Sequence, residues 1–145
     1  MNKIRVDHLS RRACVYIRQS TPGQVQHNLE SQRRQYGLVD RARTLGWEEI
    51  DIIDDDLGCS GSGTHRRGFE RLLGQLCDGA VGAVFALEAS RLARNGRDWH
   101  TLLEFCSLVG ALLIDTDGIY DPTDINDRLL LGMKGTISEM EVASF

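Results

Sequence analysis

A chain of 145 residues suits one domain of ordinary size, large enough to bury about two-thirds of its unfolded surface without disulfide or metal staples. Hydrophobic residues at 41%, charged residues at 26% and only 2 prolines exclude a disordered, collagenous or low-complexity chain. A net charge of -4, from 17 basic and 21 acidic residues, excludes a polycation built to coat nucleic acid.

Ala13 to Ile17 is a continuous apolar run ending at Arg18, with β-branched Val15 and Ile17 and aromatic Tyr16, the pattern of a strand buried on both faces. After a turn at Pro22 and Gly23, Asn28 to Leu45 carries Leu29, Tyr36, Val39, Ala42 and Leu45 near helical spacing, with Gly46 as stop signal. Glu49 to Ile53 reads as a second strand, followed by Asp54, Asp55 and Asp56. The stretch Leu57 to Gly68, with four glycines among serines and a threonine, reads as an irregular loop. Phe69, Leu72, Leu73 and Leu76 mark one face of a short helix closed by Gly79. Ala80 to Leu87 reads as a third buried strand, Arg91 to Val109 as helical and Ala111 to Ile114 as a fourth strand.

Strands alternating with helices imply an α/β fold: an open, mostly parallel sheet with helices on both faces and right-handed crossovers. Residues 1-123 are expected to form this core. The final stretch, 124-145, is amphipathic along Ile125, Leu129, Met133, Ile137 and Met140 and has no stop signal, so it reads as the start of a longer oligomerisation helix, with further domains beyond it.

The four cysteines lack any Cys-x-x-Cys pair, so no zinc or redox site is expected, and Cys14 and Cys106 in apolar runs read as core. Asp54 to Asp56 reads as a solvated loop, because three consecutive residues cannot all face one ion from a strand end. The charged start and the lack of a membrane-length apolar run point to a cytoplasmic protein. His8, His27, His65 and His100 are scattered and read as surface, with His65, beside Arg66, the one candidate for a proton or phosphate contact. Arg33, Arg34, Arg41 and Arg43 read as a solvated helix face.

Charge is distributed unevenly. Met1 to Arg97 carries 15 basic and 12 acidic residues, Asp98 to Phe145 only 2 and 9, so an anion-binding surface belongs to the first two-thirds. All basic residues except Lys3 and Lys134 are arginines, which suits bidentate recognition of phosphate or carboxylate; composition alone allows a lineage preference equally well. Ligands of open parallel sheets gather beyond the carboxyl ends of the strands. Arg18 and Ser20 follow the first strand, Arg66 the second, Arg91 and Arg94 the third. Tyr16, Arg18 and Ser20, spaced by two, project to one side while the strand stays extended, and Arg91 and Arg94, spaced by three, share a helical face.

A hydroxyl among arginines suggests phosphoryl transfer through a seryl ester, the guanidinium groups neutralising the phosphate oxygens. Taken singly, Ser20 before Thr21 and Pro22 is also a turn former, and Tyr16 a core residue. The glycine signatures of nucleotide hydrolases, dinucleotide-binding proteins and serine esterases are absent.

With these residues in view, the sequence resembles the catalytic domain of serine recombinases of the resolvase/invertase family over nearly its whole length. Tyr16-Ile17-Arg18-Gln19-Ser20 is similar to the family's Tyr-x-Arg-x-Ser element, which implies Ser20 as nucleophile and Arg18 as a phosphate ligand. Gln24 and Gln32 stand where the family commonly has glutamines. The stretch from Ser60 to Gly68 resembles its Ser-Gly-rich loop, with Arg66 rather than Arg67 as the catalytic arginine. Ser90-Arg91-Leu92-Ala93-Arg94 resembles the Asp-Arg-Leu-x-Arg element, giving Arg91 and Arg94 phosphate roles, and Glu141 matches a carboxylate of the dimerisation helix.

Ser90 departs from the family, which carries aspartate there; Glu88 is a possible substitute. The resemblance implies cleavage and rejoining of DNA through a 5′-phosphoseryl intermediate, without metal or other cofactor. It also implies DNA reading by a C-terminal module outside this chain, and a homodimer that assembles to a tetramer. Two alternatives stay open: a non-catalytic dimerising or regulatory domain, to which Ser90 would point, and a metal-independent phosphodiesterase or nuclease that uses Ser20.

Overall fold

Every position from Ala13 to Ile17 is apolar because both faces of that strand are covered. The computed structural model describes residues 3–17, 33, 36–53, 67–86, 96–116 and 118–143, the side chains of 67 and 135–143 excepted. The elements in chain order are α1 (Val6–Leu9), β1 (Arg12–Tyr16), α2 (Leu38–Leu45), β2 (Ile50–Ile53), α3 (Arg67–Cys77), β3 (Val81–Phe85), α4 (Gly96–Val109), β4 (Leu112–Ile114), β5 (Ile119–Tyr120) and α5 (Ile125–Ala143).

The strands form one sheet in the order β2-β1-β3-β4-β5. All neighbours are parallel except β4 and β5, which pair antiparallel through Leu113 with Tyr120 and Ile114 with Ile119. Alternation along β1 divides the core in two. Cys14 and Tyr16 pack with Phe69, Leu72 and Leu76 of α3, with Trp99, Leu102, Leu103 and Cys106 of α4, and with Leu131 of α5. Ala13, Val15 and Ile17 face the other way, onto Leu38 and Ala42 of α2 and onto Trp47. The α/β sheet with helices on both faces expected from the alternation is therefore the fold. Cys14 and Cys106 are free and buried, as their apolar runs predict.

Three features differ from the sequence reading. The two-residue β5 carries too short a pattern to register as a strand. The single-turn α1 had no sequence signal. His8 on α1 is core rather than surface, 1% exposed. Its Nδ1 accepts the Arg5 N–H at 2.9 Å, and its backbone carbonyl accepts the indole N–H of buried Trp47 at 2.9 Å. α1 lies so close to β3 that a Cβ on Gly82 would stand 2.0 Å from the His8 carbonyl oxygen, so that strand position must be glycine.

The carboxyl edge of the sheet as candidate functional site

Parallel strands end together. Beyond the ladders of β1 and β3, the Ile17 N–H donates to the Ile53 carbonyl at 2.9 Å and the Ala86 N–H to the Ile114 carbonyl at 3.0 Å. The carboxyl ends of β2, β1, β3 and β4 thus form one rim in that spatial order. In an open sheet ordered 2-1-3-4-5, the crossovers leave β1 and β3 on opposite faces and open a crevice between these two strand ends. Here α2 follows β1 on one face while α4 follows β3 on the other.

Of the sequence-predicted site residues, Tyr16 is the one whose side chain is described. It closes β1 at this rim, 2% exposed, with its ring edge-on to Phe69 (centroids 6.4 Å apart, planes at 85°). That contact fastens the first turn of α3 to the end of β1. Glu141 falls within α5, its side chain outside the described part. Arg18, Ser20, Gln24, Gln32, Arg66, Ser90, Arg91 and Arg94 lie outside the described residues, as do Glu88, His65 and Asp54 to Asp56. In the chain, Arg18 follows Ile17 directly, Arg66 immediately precedes α3, and Arg94 precedes α4 by two residues.

The rim also holds a charged junction that sequence reasoning missed. Asp115, one residue beyond β4, is fully buried. Its Oδ1 accepts the Gly118 N–H at 3.0 Å and its Oδ2 faces Lys134 Nζ of α5 at 3.5 Å. Lys134 Nζ also sits 5.3 Å above the centre of the Tyr120 ring. Arg41 of α2 donates from Nη1 to the Asp115 carbonyl at 2.6 Å, so it is a structural tie rather than part of a solvated face; Arg33 and Arg43 are exposed as expected. The available signal was position: Asp115 follows its apolar run as Arg18 follows Ala13 to Ile17.

A second polar group, away from the rim, is structural. Arg71 donates to both Asp51 oxygens at 2.9 and 2.8 Å, and Gln75 joins Oδ2 at 2.9 Å. Burial pushes the thiols of Cys14 and Cys106 up to about 12, which makes them poor nucleophiles. Burial would raise the Asp127 carboxyl, but hydrogen bonds from Lys3 and the Asp121 N–H, with the Lys3 charge, hold it below its ordinary value. Among the described residues, no group of three or more His, Cys, Asp or Glu converges to hold a metal ion. Among them also, no helix is long and apolar enough to cross a membrane.

Comparison with known proteins agrees with this architecture. The catalytic domain of TP901-1 integrase superposes with a TM-score of 0.61 at 22% identity, covering 92% of this chain and 98% of that one. A resolvase family site-specific recombinase from Streptococcus pneumoniae gives 0.64 at 23%, over 92% and 89% of the two chains. The catalytic domain of ISC1926 TnpA, an IS607-like serine recombinase, gives 0.57 at 21%, over 88% and 79%. In sequence, the chain is 52% identical over 143 residues to the uncharacterized protein y4bA/y4pH of Sinorhizobium fredii; the match takes in 97% of this chain and 21% of that much longer protein. Residues 13–145 match the family described as "Resolvase, N terminal domain". The chain therefore belongs to the resolvase N-terminal domain family.

Proposed function

We propose that this chain is the catalytic domain of a cytoplasmic recombinase that cleaves and rejoins DNA by transesterification at Ser20. The Ser20 oxygen attacks a DNA phosphodiester and loses its proton. The bond to the 3′ oxygen breaks, leaving a 5′-phosphoseryl linkage and a free 3′-hydroxyl. After exchange, the 3′-hydroxyl of a partner strand attacks the phosphoserine and restores Ser20. One ester replaces another, so the cycle needs neither ATP nor a metal. Arg18, Arg66, Arg91 and Arg94 bind the phosphate and bear its developing charge. Gln24, Gln32, Ser90 and Glu141 act on the substrate side, while Tyr16, read from the sequence as a substrate contact, is buried against Phe69 and supports the end of β1 from the core.

The observation that carries this reading is the shared rim. β1, β2 and β3 end side by side, the chain continues from their ends into the stretches holding Ser20, Arg66 and Arg91, and Tyr16 at the end of β1 touches Phe69 in the first turn of α3. The relatives support it too, being recombinases and an integrase by name. Ile125, Leu129, Leu130 and Met133 leave an apolar stripe exposed on α5, which a second copy of this chain would cover. Sequence reading of DNA falls to parts of the full-length protein outside these residues.

The experiment is trapping on a nicked suicide DNA substrate with the full-length protein. Ser20→Ala is expected to abolish the covalent adduct while leaving the circular dichroism spectrum intact; a retained adduct would move the nucleophile to Thr21 or Ser62. Arg66→Ala and Arg91→Ala are expected to slow cleavage by about 10³ or more while DNA binding changes little. Ser90, in place of an aspartate, favours a non-catalytic module, and the same assay separates it: that module gives no adduct, a nuclease gives cut DNA without rejoining.

A further inference from the structure

We propose that the single-turn α1 is a pH-operated latch: when His8 takes up a proton, residues 5–10 open away from the sheet, while the contacts on either side of them hold and the core from Ala13 onward stays folded. The latch lies ahead of residues 13–145, the part that matches the family, and its working does not depend on the chemistry at Ser20.

α1 has four residues, too few to hold a helical turn by its own bonds, so tertiary contacts keep it in place. Leu9 packs on the apolar cluster of Ala83, Leu112 and Ile114 and lies against Gly46, where a Cβ would stand 3.2 Å from its Cδ1. His8 is the buried side chain of the turn, and its carbonyl accepts the Trp47 indole N–H beside the bare Gly82. On one side Lys3 Nζ donates to the Ile119 carbonyl at 2.9 Å and stands 2.8 Å from Asp127 Oδ2. On the other, Arg11 donates to the carbonyls of Val81, Val109 and Gly110. Neither anchor uses a histidine. Burial opposes ionisation of Asp127, yet hydrogen bonds from Lys3 and the Asp121 N–H hold its carboxyl below the ordinary value, so that anchor persists in mild acid.

The ring between the anchors fits only when neutral. Its Nδ1 accepts the Arg5 N–H at 2.9 Å. A proton added there turns the acceptor into a donor, so two N–H groups confront each other and the Arg5 N–H loses its partner. The new charge is withdrawn from water and lies near Arg5 and Arg11, with Asp7 the nearby carboxylate in its favour. β3 (Val81–Phe85), Gly110 and Ala111 bring no ionisable side chain to it. The α2–β2 turn brings Trp47, its Glu48 and Glu49 being exposed, and Arg12 at the head of β1 faces Glu49 at 4.0 Å. Burial therefore depresses the proton affinity of the closed form, whereas the opened segment titrates at the ordinary value of 6.5. The closed form is fully favoured above that value and weakens as pH falls below it; one unit lower, opening is about tenfold more frequent. A local opening of this kind costs less than unfolding the sheet.

The test is amide exchange on the full-length protein at about pH 7.5 and about pH 5.5, each rate divided by that of an unstructured peptide at the same pH. Protection at Leu9, Ser10 and Arg11, whose N–H groups donate to the carbonyls of Arg5, Val6 and His8, is expected to fall about tenfold, and that of Val81–Phe85 by less than about twofold. His8→Gln is expected to abolish the difference between the two pH values at α1. Unchanged protection at α1 in wild type, an equal fall in β3, or the same pH dependence in His8→Gln overturns the proposal. Where His8→Gln does not fold, the His8 ring resonance of wild type decides: it is expected to move toward the protonated position over the range in which protection falls, and a ring that stays neutral there overturns the latch.

Discussion

His8 illustrates how one side chain can carry a pH dependence that its sequence context hides. Burial lowers its affinity for a proton, Arg5 and Arg11 add to that, and Asp7 with a backbone hydrogen bond to Gly110 only partly opposes it. With Nδ1 accepting the Arg5 N–H, the folded state holds the neutral ring. A depressed folded value means that this stabilisation is complete above the ordinary value of 6.5 and is lost as pH falls from there through the lowered one. Urea midpoints should accordingly fall between neutral and mildly acidic pH, and His8→Gln should flatten that part of the profile; equal slopes in both proteins would acquit His8. Asp127 titrates in a lower window, beneath its ordinary value of 3.8, so the two effects separate. Gly82 makes the complementary case for packing. A methyl group there meets backbone rather than a movable side chain, so Gly82→Ala should cost about 1–3 kcal/mol in urea unfolding.

At the scale of elements, α5 has two dissimilar faces. Leu131 is fully buried against the core, and the Leu131 carbonyl accepts the indole N–H of Trp99 at 2.9 Å, which fixes this helix onto α4. Ile125, Leu129 and Met133, spaced by four, are 83%, 66% and 54% exposed. A face required only for folding would not spend large apolar residues on solvent in this register. Leu131→Ala is expected to cost about 2–5 kcal/mol by chemical unfolding. Met133→Glu should leave the stability of the dilute protein within about 0.5 kcal/mol while abolishing self-association in light scattering. Association undiminished by Met133→Glu would transfer the interface to another surface. The long helix was legible because nineteen residues repeat one pattern; the antiparallel β5 was not, since two residues carry no period.

Across the whole molecule, the two edges of the sheet serve different ends. The amino edge is sewn shut by Arg11, which donates to the carbonyls of Val109 at 2.7 Å, Val81 at 3.0 Å and Gly110 at 3.2 Å. Arg11→Met would strip these partly buried carbonyls of a charged donor, and about 1–3 kcal/mol of stability should be lost, measured by thermal or urea unfolding. At the carboxyl edge β1, β2 and β3 end together, and the motifs proposed to hold the nucleophile and arginines follow them in sequence: Arg18 and Ser20 after β1, Arg66 after β2, Arg91 and Arg94 after β3, all outside the described residues. Local pattern by itself determined the order of β1 to β4 and α2 to α5, the two-faced burial of β1 and the membership implied by those motifs, because periodicity and short motifs are properties of neighbouring residues. Only the tertiary structure decided that His8 is core, that Gly82 must be bare, and that Arg41 and Lys134 meet at Asp115. Those outcomes depend on pairs from 19 to 74 residues apart. A charged side chain looks the same in sequence whether solvent or a distant carbonyl satisfies it; chain folding alone brings the partner.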